Sequence, residues 1–82
     1  MLKAVAIKIE EIYVPAGHRK ELDPQKIENL AEQIMEGEEE QPIQVRQGKD
    51  RYVLVKGVHR MEARKALGEE TIQAFLVSAP QH

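Results

Sequence analysis

Tyr52-Val53-Leu54-Val55-Lys56-Gly57-Val58-His59-Arg60-Met61-Glu62-Ala63 is the stretch on which the fold turns. Its first four residues are apolar without alternation, which predicts a strand covered on both faces and central in its sheet. Gly57 breaks that strand. Met61, Ala63, Ala66 and Leu67 then supply the apolar positions of a helix that ends at Gly68, the expected C-cap. A strand running through a glycine into a helix is a physical solution for holding phosphate, because the first-turn amides point outward and the helix dipole adds positive potential. Lys56, His59 and Arg60 surround the turn, and Arg64 follows four residues after Arg60 on the same helical face. Guanidinium forks bind phosphate oxygens bidentately and stay charged. The competing reading is structural: Gly57 is only a turn, Arg60 and Arg64 pair with Glu62 or Glu69, and His59 caps or fills space. The local density of basic residues favours an anion site.

Upstream, Val5, Ile7 and Ile9 alternate with Ala6, Lys8 and Glu10, a period of two that puts one side of a first strand on a core. Pro and Gly in Val14-Pro15-Ala16-Gly17-His18-Arg19 predict a connection, and His18-Arg19 on its own reads as a solvated loop pair. Asp23-Pro24 opens a helix: the Asp carboxylate accepts an orphan amide bond and the Pro needs no donor. Ile27, Leu30, Ala31, Ile34 and Met35 form its apolar face; Glu28, Glu32 and Glu36 form a solvated stripe; Gly37 is its stop. Ile43 and Val45 face one way and Gln44 and Arg46 the other in a second strand, joined to Tyr52 by a Gly48-Lys49-Asp50 turn. Thr71 to Val77 is the last strand, and Ser78 to His82 a fraying tail.

The 82 residues suffice for one domain with one modest core, spanning 1–82 with its core at about 4–77. No apolar run approaches the roughly 20 residues of a membrane span. Met1-Leu2-Lys3-Ala4 does not open a signal peptide, so the expected location is cytoplasmic, with no membrane partner. The absence of cysteine excludes disulfides, thiolate metal sites and a cysteine nucleophile. Tyr13, Tyr52 and Phe75 are the whole aromatic inventory, too little for a base-stacking platform.

The net charge of −2 opposes whole-domain attraction to nucleic acid, but its distribution is uneven. Glu21 to Glu40 holds eight carboxylates against Lys26, and Gln41 to Lys65 holds seven Lys or Arg against Asp50 and Glu62. An acidic face and a basic face are expected. The run Glu36 to Glu40 lacks a calcium-loop spacing, and His18, His59 and His82 lack a zinc-like one, so no protein-built metal site is expected. Neither a Gly-x-Ser-x-Gly elbow nor a Walker loop is present.

Three segments in order, Gln41-Pro42-Ile43-Gln44-Val45-Arg46, the Tyr52 to Ala63 stretch, and Leu67-Gly68, resemble the N-terminal domain of ParB chromosome-partition proteins and their ParB-like nuclease-domain relatives. His18-Arg19-Lys20-Glu21-Leu22-Asp23 resembles the arginine-bearing first box of that family, and the resemblance covers about Ile7 to Val77. It implies an α+β fold of the ParB/sulfiredoxin type: a small mixed sheet with two main helices beside it, and a basic turn opening a cleft toward His18-Arg19. It also implies a nucleotide site in which Gly57 to Arg60 and Ala63 match the triphosphate-contacting box and Arg19 the first-box arginine. ParB proteins use CTP, whereas sulfiredoxin and a free-serine kinase on the same fold use adenine nucleotides. Sulfiredoxin carries its reactive cysteine where this chain has Val58, so that chemistry is excluded. The acidic-asparagine motif and the helix-turn-helix that follow the domain in ParB do not occur among these 82 residues, and the Gly37 to Gln41 connection is one residue longer than the usual ParB spacing.

The leading expectation is a stand-alone nucleotide- or phosphate-binding module, with Gly57, His59, Arg60, Arg64, Lys56 and Arg19 on the phosphates and Mg2+ arriving with the nucleotide. No catalytic residue is assigned. One alternative is a DNA-associated regulator or nuclease-like protein using the basic 41–65 face. Another is a non-catalytic protein-interaction or dimerisation module, a homodimer among them.

Overall fold

The strand–glycine–helix junction sits inside a five-stranded mixed sheet. The computed structural model describes residues 3–38 and 41–78. Strand β1 (Ala4–Lys8) leads through a 3-10 turn (Ile9–Glu11) into the two-residue β2 (Ile12–Tyr13), followed by helices α1 (Ala16–Lys20) and α2 (Pro24–Met35). Then come β3 (Ile43–Gln47), β4 (Tyr52–Lys56), α3 (Val58–Ala66) and β5 (Thr71–Leu76). The spatial order is β1-β5-β3-β4-β2. The β1–β5 and β3–β4 pairs are antiparallel, while β3–β5 and β4–β2 are parallel.

Two expectations about strands change. The central strand is β3, not β4, whose other neighbour is only the short β2. The apolar run in β4 has a different cause: Leu54 joins the main core, while Val53 is buried against the backbone of the turn at Gly48, where an added Cβ would stand 2.9 Å from its Cγ2. The first strand also stops at Lys8, because Ile9 leaves the ladder for the 3-10 turn while its amide donates to Glu70 O at 2.9 Å.

The region around Gly17 is a correction too. Residues read as a loop form α1, opened by Pro15, whose carbonyl accepts from the amides of His18 (3.0 Å) and Arg19 (3.3 Å). Gly at a helix interior costs roughly 1 kcal/mol relative to Ala, which a short tertiary-supported turn tolerates.

Ile43, Val45, Leu54, Ile72 and Ala74 from the sheet and Val58 and Met61 from α3 make the core, with Ile7, Ile9 and Ile12 closing one side. Apart from Ala74, each of these side chains contributes roughly 1.5–3 kcal/mol on burial. Helix α2 starts as expected, the Asp23 carboxylate accepting the Gln25 amide at 3.0 Å. None of its residues is buried, however: Ile27, Leu30, Ala31 and Ile34 are half-buried and Met35 is 73% exposed. The reason is geometric, since α2 packs on α3 and Leu30 lines an open cleft between them. The predicted stop Gly37 and C-cap Gly68 both take positive φ, at 79° and 82°. Residues 79–82 of the expected tail, and Glu39 and Glu40 of the acidic run, lie outside the described residues.

Candidate functional site

Gly57 is required twice over. Its φ of 108° lies in the left-handed region, and an added Cβ would stand 2.6 Å from Ile43 Cγ2 and 3.0 Å from Ile43 Cβ. The chain can therefore turn from β4 into α3 directly on top of the central strand, with no side chain at the turn. Gly57 brings no capping side chain, and the first intrahelical bond runs from the Met61 amide to Gly57 O at 3.0 Å. The amides of Val58, His59 and Arg60 are thus the orphan donors of the helix start.

A cleft of about 520 Å³ opens at that point. Lys56, Gly57, Val58, His59 and Arg60 form one wall; Lys26, Asn29, Leu30 and Gln33 of α2 form the other, with His18 and Glu21 at the α1 end. Three Lys and Arg side chains therefore face one carboxylate across the amides of a helix N-terminus, an arrangement that attracts a polyanion. A smaller hollow of about 340 Å³, with Gln44 and Phe75 in its lining, shares Lys56, Gly57 and Arg60 with the cleft.

His59 has a structural task here. Its Nε2 lies 3.1 Å from the Asp23 amide nitrogen and 3.0 Å from Glu21 O, so the ring ties α3 to the α1–α2 connection. Asn29 is positioned in turn, its Oδ1 accepting from Gln25 Nε2 at 3.1 Å.

Of the six residues singled out in the sequence, Lys56, Gly57, His59 and Arg60 come together in the cleft. Arg19 lines a neighbouring groove with Tyr13 and Leu22, which shares Val58 with the cleft. Arg64 lies near the C-terminal end of α3, with its Nη1 3.8 Å from Glu69 Oε1. Lys26, Asn29 and Gln33 were missed. Their spacing of three and four, shared with Leu30, was the available signal, but polar residues beside a half-apolar stripe read as solvent-facing. Among the described residues no cluster of His, Cys, Asp or Glu is arranged to hold a metal ion, and no helix is long and apolar enough to cross a membrane.

The model of the ParB N-terminal domain family matches residues 2–82. The chain belongs to that family. This ParB N-terminal domain is 32% identical over 81 residues to a probable chromosome-partitioning protein ParB of Campylobacter jejuni, an alignment covering 98% of the chain and 29% of the relative. It thus spans less than a third of that relative's length. Sulfiredoxin from Arabidopsis thaliana superimposes with a TM-score of 0.81 at 27% identity, covering 94% of this chain and 86% of sulfiredoxin. The C-terminally truncated ParB of Caulobacter crescentus, complexed with CTP-gamma-S, gives 0.79 at 24% identity, covering 96% of this chain and 46% of the other. The ParB/sulfiredoxin fold expected from the three sequence boxes is the fold of this ParB N-terminal domain.

Proposed function

We propose that the cleft between α2 and α3 binds a nucleoside triphosphate or diphosphate. The observation that carries this reading is the uncapped start of α3 opening between Lys56 and Arg60 on one wall and Lys26 on the other. The phosphates sit on the amides of Val58 to Arg60, with Arg60 forking onto their oxygens and Lys56 and Lys26 supplying charge. Asn29 and Gln33 offer carboxamides to the base or sugar further along α2; from Lys26 to Gln33 the helix rises about 10 Å, comparable with the reach of a nucleotide. Because Asn29 Oδ1 already accepts from Gln25, its amide hydrogens are the groups left to face a ligand. The crystallised Caulobacter ParB, with CTP-gamma-S on the same fold, supports the ligand class. Mg2+ arrives on the phosphates, since Glu21 is the one carboxylate among the described residues that lines the cleft.

His59 serves this site as a positioning residue, and Arg19 and Arg64 stand outside it. Nucleotide-dependent thermal stabilisation with CTP, ATP, ADP and GTP, each with and without Mg2+, tests the reading, because a ligand of the native state alone must raise the apparent stability. One nucleotide should shift the transition selectively, and Arg60→Ala should weaken its binding roughly tenfold to a hundredfold. No shift with any nucleotide at millimolar concentration would refute the proposal.

A further inference from the structure

Helix α1 and the residues after it form a wall with a concavity on each side. His18 and Glu21 line the cleft; Arg19 and Leu22, one residue further on in each case, line a groove of about 340 Å³ on the opposite side. Its floor is core: Ile9, Ile12, Val58 and Met61 are all buried. Its walls are not. Tyr13 and Leu22 are 39% and 38% exposed, two of only five large apolar side chains so exposed among the described residues. Tyr13 is held in place by Arg51, whose Cζ lies 4.0 Å from the ring centroid.

The groove does not end there. Past Ile9, Ile12 and Lys65 it runs into a second hollow of about 530 Å³, which those three residues also line. Glu10, Glu69 and Glu70 rim this far end, offset in part by Lys8 and Lys65, with Glu69 paired to Arg64. Arg19 and Arg51 mark the near end, with Glu62 and Lys65 between. The result is one channel whose exposed apolar surface, Tyr13 and Leu22, lies beside Arg19 and Arg51 at one end, with carboxylates in excess at the other.

We propose that this channel docks a peptide segment of a protein partner: apolar where it meets Tyr13 and Leu22, acidic beside them at Arg19 and Arg51, and basic where it meets Glu10 and Glu70. Charge complementarity at both ends fixes the register and rejects uniformly charged segments, while Tyr13 and Leu22 supply the apolar contact. A nucleic-acid backbone fits poorly, because a polyanion laid along the channel would meet the three glutamates. The assignment does not depend on what the cleft binds.

Titration of the 15N-labelled full chain with three synthetic amphipathic helical peptides tests it. All carry the same leucine stripe; one has glutamates at one end and lysines at the other, one only glutamates, one only lysines. The polarised peptide should shift the amides of Tyr13, Leu22, Met61 and Lys65 and bind at least about tenfold more tightly than either uniform peptide. Leu22→Glu, at an exposed position, should weaken it at least about tenfold without lowering the melting temperature. The proposal is overturned if no peptide shifts these amides, if all three bind alike, if duplex DNA shifts the same amides at lower concentration, or if sedimentation shows a second copy already covering them.

Discussion

The imidazole Nε2 of His59 stands 3.1 Å from the Asp23 amide nitrogen and 3.0 Å from the Glu21 carbonyl oxygen. One ring nitrogen either accepts or donates, so these contacts alternate. With Nε2 unprotonated it accepts from Asp23; with Nε2 protonated it donates to Glu21. In both states one side chain, two residues beyond Gly57, fixes where α2 begins relative to α3. His59 thereby ties α3 to the α1–α2 connection at the edge of the cleft.

His59→Ala should then destabilise the fold by about 1–2 kcal/mol, because it leaves the Asp23 amide without its ring acceptor. For a domain of this size that lowers the melting temperature by roughly 4–8 °C per kcal/mol. Thermal denaturation of the ligand-free protein measures this, and His59→Gln, which keeps a donor and an acceptor, should recover part of the loss. A His59→Ala protein as stable as the parent would remove the positioning role.

Gly57→Ala combines two penalties. A non-glycine residue at φ 108° is strained by roughly 1–3 kcal/mol, and its Cβ would press into Ile43. Ile43→Ala alone should cost about 2–5 kcal/mol as a core truncation. Since Ile43 Cγ2, the nearest atom in the way at 2.6 Å, is absent from alanine, the double variant should be less destabilised than the sum of the two, by roughly 0.5–3 kcal/mol. Urea unfolding of the four proteins closes the cycle; strict additivity would show that the glycine is needed for its backbone angle alone.

How much of this was legible in the sequence follows from element length. The β4–Gly57–α3 junction could be read because an apolar run, a glycine and a helix ending at Gly68 succeed one another. Helix α1 and strand β2 could not, at five and two residues, since neither is long enough to show a period. The site divided in the same way. Arg19 was grouped with His18 because they are neighbours in sequence, yet about 100° separates adjacent residues around a helix, and the two side chains line different hollows. Lys26, Asn29 and Gln33 belong to the cleft only because α3 packs beside α2 and leaves that flank open, a tertiary fact that no local pattern carries.

That division makes the arginines separable by experiment. Arg19→Ala and Arg64→Ala should leave nucleotide affinity within about threefold of the parent, whereas Arg60→Ala and Lys56→Ala should each lose roughly tenfold or more. Isothermal titration with the nucleotide that stabilises the parent most gives the comparison. A loss at Arg19 matching that at Arg60 would bring the first box back onto the phosphates and rule out the separation drawn between groove and cleft.

The two ends of the cleft should also respond differently. If phosphate binds at the start of α3 and the base lies along α2, Lys26→Ala weakens every nucleotide that binds, because charge on the phosphates is common to all. Gln33→Ala instead changes the ranking among bases, because the carboxamide it removes can pair with only some arrangements of donors and acceptors. Inorganic triphosphate separates the two: its affinity should fall with Lys26→Ala by roughly the factor seen for the nucleotide, and stay within about twofold of the parent with Gln33→Ala. Equal losses of inorganic triphosphate in both variants would place phosphate along the whole of α2 and reverse the assigned orientation.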